Sequence, residues 1–182
     1  GNLLSEDEKR GVYASYWVTG HELSHAVNPI NPSSFVGANA ALEEALAEEM
    51  GHKLALDRLA HHGQYEVIDW RAKNPDALAV RGVYRNERLA LKTIFDEADV
   101  PEADRSSVIE AMCFRMNPDA RLSYLATLHA ANTGGDVNAS RARVEALLTN
   151  PPRAKRNFDS IIHSFSQYGN WDRNGEWQPN QS

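Results

Sequence analysis

One cysteine in 182 residues means that no disulfide can close within the chain. Cys113 alone cannot build a thiolate zinc site either, since such sites use cysteines in clusters. A lone thiol suits a reducing, cytoplasmic compartment. No apolar run approaches the roughly 20 residues that a membrane helix needs, and the opening GNLLSEDEKR lacks the hydrophobic region of a signal peptide. The chain therefore reads as soluble, with no membrane partner; because it opens on Gly1 rather than methionine, more chain is expected upstream. Excess positive charge is also missing. Nineteen Lys and Arg against 25 Asp and Glu leave a net charge of −6, which argues against a broad basic surface, so no nucleic-acid partner is expected. No internal repeat or low-complexity tract occurs.

With 42% hydrophobic and 24% charged residues, the composition is that of an ordinary globular protein, and this length fits one core. Breaker and helix-start signals fall at NPINP (28–32), KNPD (73–76), DVP (99–101), MNPD (116–119), NTGGD (132–136) and TNPP (149–152). Between them, apolar residues recur at helical spacing, as in Leu122, Leu125 and Leu128. The pattern predicts helices near 6–27, 39–61, 84–97, 102–115, 118–131, 137–149 and 153–167, with Asn117 capping a helix that has Pro118 at its first position. Only QYEVIDW (64–70) and LAVRGVY (78–84) could be strands, and neither alternates cleanly. The fold class expected is mainly α with at most a small β hairpin. Residues 1–167 are expected to form one domain, its site within 13–51 and a helical remainder over 84–167. The tail from 168, rich in Gly, Asn and Gln, reads as irregular, pinned to the body by Trp171 and Trp177.

Charge is scarce locally as well. From Gly11 to Asn28 the only charged side chain is Glu22, while Val12, Tyr13, Tyr16, Trp17, Val18, Leu23 and Val27 give the segment the look of a buried helix. Within it lies TGHELSHAV (19–27). Histidines four apart share one helix face, so His21 and His25 can aim ring nitrogens at one cation. Zinc accepts two imidazoles and a carboxylate and leaves a fourth position for water, which Glu22 could reach. Zinc-bound water loses its proton readily; Glu22 would take it and pass it to a leaving amine. The bland alternative is a helix with an exposed polar edge. Two histidines and a glutamate in an apolar helix each carry a desolvation cost, and a metal relieves all three together.

A third ligand is available in LEEALAEEMG (42–51). Taken alone, Glu43, Glu44, Glu48 and Glu49 read as a solvated acidic face; beside the histidines, Glu43, Glu44 and Glu48 are all open as ligands. His-Glu-x-x-His followed by a glutamate on the next helix resembles the gluzincins, the zinc peptidase clan that includes thermolysin. In thermolysin-like enzymes that glutamate opens Glu-Ala-x-x-Asp, and EALAE (44–48) has this form with Glu48 in place of Asp. EEALAE is also similar to the Glu-Glu-x-x-Ala-Glu helix of small zincin-like antirestriction domains, and partly to the Glu-x-x-Ala-Asn string of intracellular peptidases that cleave repressors. The resemblance covers about residues 13–51. It implies a zincin-like core, Zn2+ held by His21, His25 and Glu44, and Glu48 as acceptor for the free N–H of His21.

What the resemblance implies for function is hydrolysis of peptide bonds in a protein or peptide substrate, with Glu22 as general base and acid. Thermolysin-like enzymes lay substrate along a sheet edge that precedes the motif helix, and too little chain precedes Tyr13 here to supply one. They also use a downstream Tyr or His to stabilise the oxyanion. Candidates are His52, His61, His62, Tyr65, Tyr84, Tyr124, His129 and His163, with Tyr84 and His129 favoured; His61-His62-Gly63 reads better as a helix end. The alternatives are a toxin or antirestriction-type protease with one narrow target, and a non-catalytic binding module with a structural or vestigial metal site.

Overall fold

The computed structural model describes residues 3–27, 35–74, 84–154 and 167–180. Among them are seven helices, α1 (Glu6–Val27), α2 (Gly37–His61), α3 (Tyr65–Lys73), α4 (Arg85–Glu97), α5 (Glu102–Phe114), α6 (Pro118–Thr133) and α7 (Val137–Thr149), and a hairpin of β1 (Gly169–Trp171) and β2 (Trp177–Pro179). No described helix is long and apolar enough to cross a membrane.

Local chemistry sets several boundaries. Ser5 opens α1 with a reciprocal cap: its amide donates to Glu8 Oε2 at 2.7 Å and its hydroxyl accepts from the Glu8 amide at 3.3 Å. Asn117 caps α6 by accepting from the Asp119 amide at 3.0 Å, with Pro118 following, as the sequence predicts. Asp136 caps α7 in the same way.

α2 is the central helix and touches the other six. Its Leu42, Leu46 and Met50 enter a core shared with Leu91, Ile94, Phe95, Ile109, Met112 and Leu125 of α4 to α6 and Val144 and Leu148 of α7. Its far end, through Ala55, Leu56 and Leu59, enters a second core with Tyr13, Trp17, Val67, Ile68, Trp70 and Trp177. α1 lies along α2 at unusually close range. A Cβ added at Gly51 would stand 2.9 Å from the carbonyl oxygen of Trp17, and one at Gly20 would stand 3.1 Å from Gly51 Cα. Neither position has room for a Cβ without a shift of its neighbours, so glycine at both suits this close approach.

Three expectations need correction. Residues 65–70 are helical, within α3, not a strand: Val67, Ile68, Arg71 and Ala72 are buried together, a helical rather than an alternating pattern, so tertiary packing overrides the β-branched and aromatic composition. The tail is not irregular. Gly169 to Trp171 pair antiparallel with Trp177 to Pro179, around a turn in which Asp172 Oδ1 accepts from the amides of Asn174 and Glu176 at 2.8 and 3.0 Å. Trp177 pins it, buried and donating to Asp69 Oδ1 at 2.9 Å, while Trp171 is 49% exposed. Finally, α1 is not buried on all sides. Tyr13, Trp17, Gly20 and Ser24 face inward, whereas Val18, Leu23 and Val27 are about half exposed. The strand candidate at 78–84, apart from Tyr84, and the helix expected over 153–167 fall largely outside the described residues.

Candidate metal centre

His21 and His25 stand one turn apart on α1, and Glu44 and Glu48 one turn apart on α2, so close packing of the two helices sets the pairs face to face. The Nε2 atoms of His21 and His25 are 3.1 Å apart. Glu44 Oε2 is 3.4 Å from the first and 3.5 Å from the second. Bonds of 2.0–2.2 Å in a tetrahedral zinc site imply ligand-to-ligand edges of about 3.3–3.6 Å. Both edges to Glu44 fall in that range, and the edge between the two imidazoles, 3.1 Å, is about 0.2 Å shorter. Glu44 Oε2 is also buried without a hydrogen-bond partner, an orphan whose natural complement is a cation. These are the three residues among those described whose donor atoms group closely enough to hold a metal ion.

The other ring nitrogens turn away from the triangle onto two more carboxylates. His21 Nδ1 is 3.0 Å from Glu48 Oε2, the contact the resemblance implies. His25 Nδ1 faces Glu43 Oε1 at 3.5 Å, a contact the sequence reading missed. Glu43 is in turn held by a buried ion pair with Arg121 of α6, whose guanidinium also donates to the carbonyl of Cys113 at 3.1 Å. The only sequence signal for this anchor is a cation beside Leu122 on an otherwise apolar face, with no way to read a partner 78 positions away. Each imidazole therefore has a carboxylate that fixes its ring and leaves Nε2 to the centre.

Three carboxylates around two imidazoles leave the cluster hungry for positive charge. Burial lowers the pKa of His21, but the facing carboxylates of Glu44 and Glu48 outweigh it and raise the value to about 9. Glu43, then Glu44, raise that of His25 to about 10. Burial raises Glu44, yet the two histidines prevail and hold it at about 2.

Of the remaining candidates, Glu22 is exposed on α1 beside His21. Tyr84 stacks on His21, with ring centroids 6.2 Å apart and planes 10° from parallel, and it caps α4 in the left-handed region at φ 64°. A tyrosine there is strained, and such strain concentrates at functional positions. Burial, then Glu44, Glu48 and Glu87, raise the pKa of its phenol, which stays protonated. His129 belongs elsewhere, which corrects the expectation for it. Its Nδ1 is 3.0 Å from Ser140 Oγ and its Nε2 3.1 Å from Glu97 Oε2, so both nitrogens are engaged between α4, α6 and α7. His52 is bound to the Tyr13 hydroxyl at 2.8 Å and stacked on Trp17, and burial keeps it neutral. His61 and His62 close α2, Tyr65 starts α3 half exposed, and Tyr124 packs against the first core. His163 lies outside the described residues. No protein-family model matches the chain, and no curated protein and no solved structure matches it significantly.

Proposed function

We propose that the protein is a zinc-dependent metallopeptidase built on a zincin-like core, with His21, His25 and Glu44 as metal ligands. The observation that carries this reading is the triangle of two Nε2 atoms and an orphaned carboxylate oxygen, with edges of 3.1 to 3.5 Å. Zinc bound there supplies Lewis acidity for both water and a peptide carbonyl. Glu22, one residue after His21 and open to solvent, takes the proton from the attacking water and delivers it to the nitrogen of the leaving amine. Tyr84, protonated and against His21, donates a hydrogen bond to the carbonyl oxygen as negative charge grows on it. Glu48 and Glu43 keep the imidazoles oriented throughout. A structural metal is the second reading, favoured by one observation: the strands among the described residues are two three-residue segments, Gly169–Trp171 and Trp177–Pro179, paired with each other in one two-stranded hairpin.

Elemental analysis of the purified chain tests the first step. About one zinc per chain, lost in both His21→Ala and Glu44→Ala, is expected. Glu22→Gln should retain the zinc while hydrolysis of a mixed peptide pool falls by about 100- to 10,000-fold. Absence of zinc after incubation with excess metal refutes the site. Zinc present in a protein that cleaves nothing favours the structural reading.

A further inference from the structure

A cavity of about 350 Å³ adjoins the cluster, with Glu44 and Tyr84 among its lining residues. Its walls include Phe35 ahead of α2, Leu148 at the end of α7 and Pro151 beyond it, while Glu87, in the first turn of α4, supplies a second carboxylate. The size is at the low end for ligand pockets, enough for one large side chain rather than a whole small molecule. No Lys, Arg or His lines the cavity among the described residues. With Arg121 counted, the carboxylates of Glu43, Glu44 and Glu48 balance a divalent ion, so Glu87 sets the sign of the charge here. An apolar side chain filling the space would strip water from Glu87 and return nothing. An acidic one would meet like charge. A long aliphatic stem ending in a cation satisfies both the walls and the carboxylate.

We propose that this cavity binds a lysine or arginine side chain of the peptide substrate, next to the bond presented to the cluster. The inference rests on the peptidase reading for the nature of the ligand, and on Glu87, Leu148, Phe35 and Pro151 for its side chain. The direct test is calorimetric binding of three capped peptides, Ala-Ala-Lys-Ala-Ala and its Leu and Glu counterparts, to the zinc-loaded Glu22→Gln protein. The Lys peptide should bind at least about tenfold more tightly than either counterpart. Glu87→Gln should shrink that preference below about twofold. Thr149→Lys, at an exposed position on the cavity wall, should abolish it by occupying the carboxylate, with zinc content unchanged. Equal binding of the Leu peptide, a preference that survives Glu87→Gln, or no binding of any peptide overturns the proposal. The wild-type chain separates the two readings: cleavage of a mixed pool without selection for Lys or Arg removes the subsite alone, whereas Lys-selective binding with no cleavage removes the peptidase and keeps the pocket.

Discussion

At the scale of single residues, the proposed zinc would compete with protons for the cluster. The raised pKa values, about 9 for His21 and about 10 for His25, lie above the ordinary imidazole value of 6.5. Their contribution to the stability of the metal-free protein is therefore complete below about pH 6.5 and is lost as pH rises through 9 to 10. Zinc needs neutral imidazoles, so its binding must expel those protons. At pH 7, calorimetry in buffers of different ionisation enthalpy should show about one to two protons released per zinc, declining to none above pH 10. Release of no protons at pH 7 would mean that the imidazoles are neutral in the free protein. One shell out, Arg121 is 2% exposed and its partner Glu43 is 6% exposed. Arg121→Met leaves a carboxylate buried without its cation, a loss of about 3–5 kcal/mol. Glu43→Gln is milder for folding but should weaken zinc binding by about 10- to 100-fold, because His25 loses the acceptor behind it. Zinc affinity unchanged in Glu43→Gln, read by chelator competition, would show that the 3.5 Å contact does not orient the ring.

At the scale of elements, the geometry of the centre is a consequence of how closely α1 and α2 approach. Gly51→Ala places a methyl 2.9 Å from the Trp17 carbonyl and 3.1 Å from the His21 amide. Overpacking there should cost about 1–3 kcal/mol, more than the roughly 1 kcal/mol that alanine returns as a better helix former. Gly11→Ala, on α1 with nothing within 4 Å, should instead stabilise by up to about 1 kcal/mol. Opposite shifts in thermal midpoint, with weakened zinc binding in Gly51→Ala alone, are the expected result; equal shifts would detach the site from the helix contact. The sequence made α1, α2 and α4 to α7 legible because their breakers and caps are local, as at Asn117-Pro118. It made the pairing of His21 with His25 legible because four-residue spacing maps directly onto one helix face, whereas among Glu43, Glu44 and Glu48 only the resemblance to the gluzincins pointed to Glu44. What it hid is non-local. The helix at 65–73 is decided by burial against α1 and α2, and the hairpin by a Trp177 that reaches Asp69. Arg121 answers to Glu43, 78 residues earlier. The exposed flank of α1, with Val18 and Leu23, misleads because low charge and burial usually coincide.

At the scale of the whole molecule, two cores share one helix. The first holds α4 to α7 against the starting half of α2, the second holds α1, α3 and the hairpin against its far half. The buried Glu43–Arg121 and Glu49–Arg88 pairs run from α2 into the first group, while the His21–Glu48 contact runs from α2 into the second. If α2 cannot persist with either core dissolved, both must melt together. The distribution of tryptophan makes this measurable. All four, Trp17, Trp70, Trp171 and Trp177, sit in α1, α3 and the hairpin, so indole fluorescence follows the second core, whereas helical circular dichroism sums over both. Coincident midpoints in the two signals are expected for a single cooperative unit. Zinc at about 1,000 times its dissociation constant should add roughly 4 kcal/mol and move both curves upward by the same amount, about 8–16 °C for a chain of this size. Fluorescence melting first, with zinc shifting that signal alone, would make α1, α3 and the hairpin a separate unit, and the metal a clasp on that unit rather than on the whole fold.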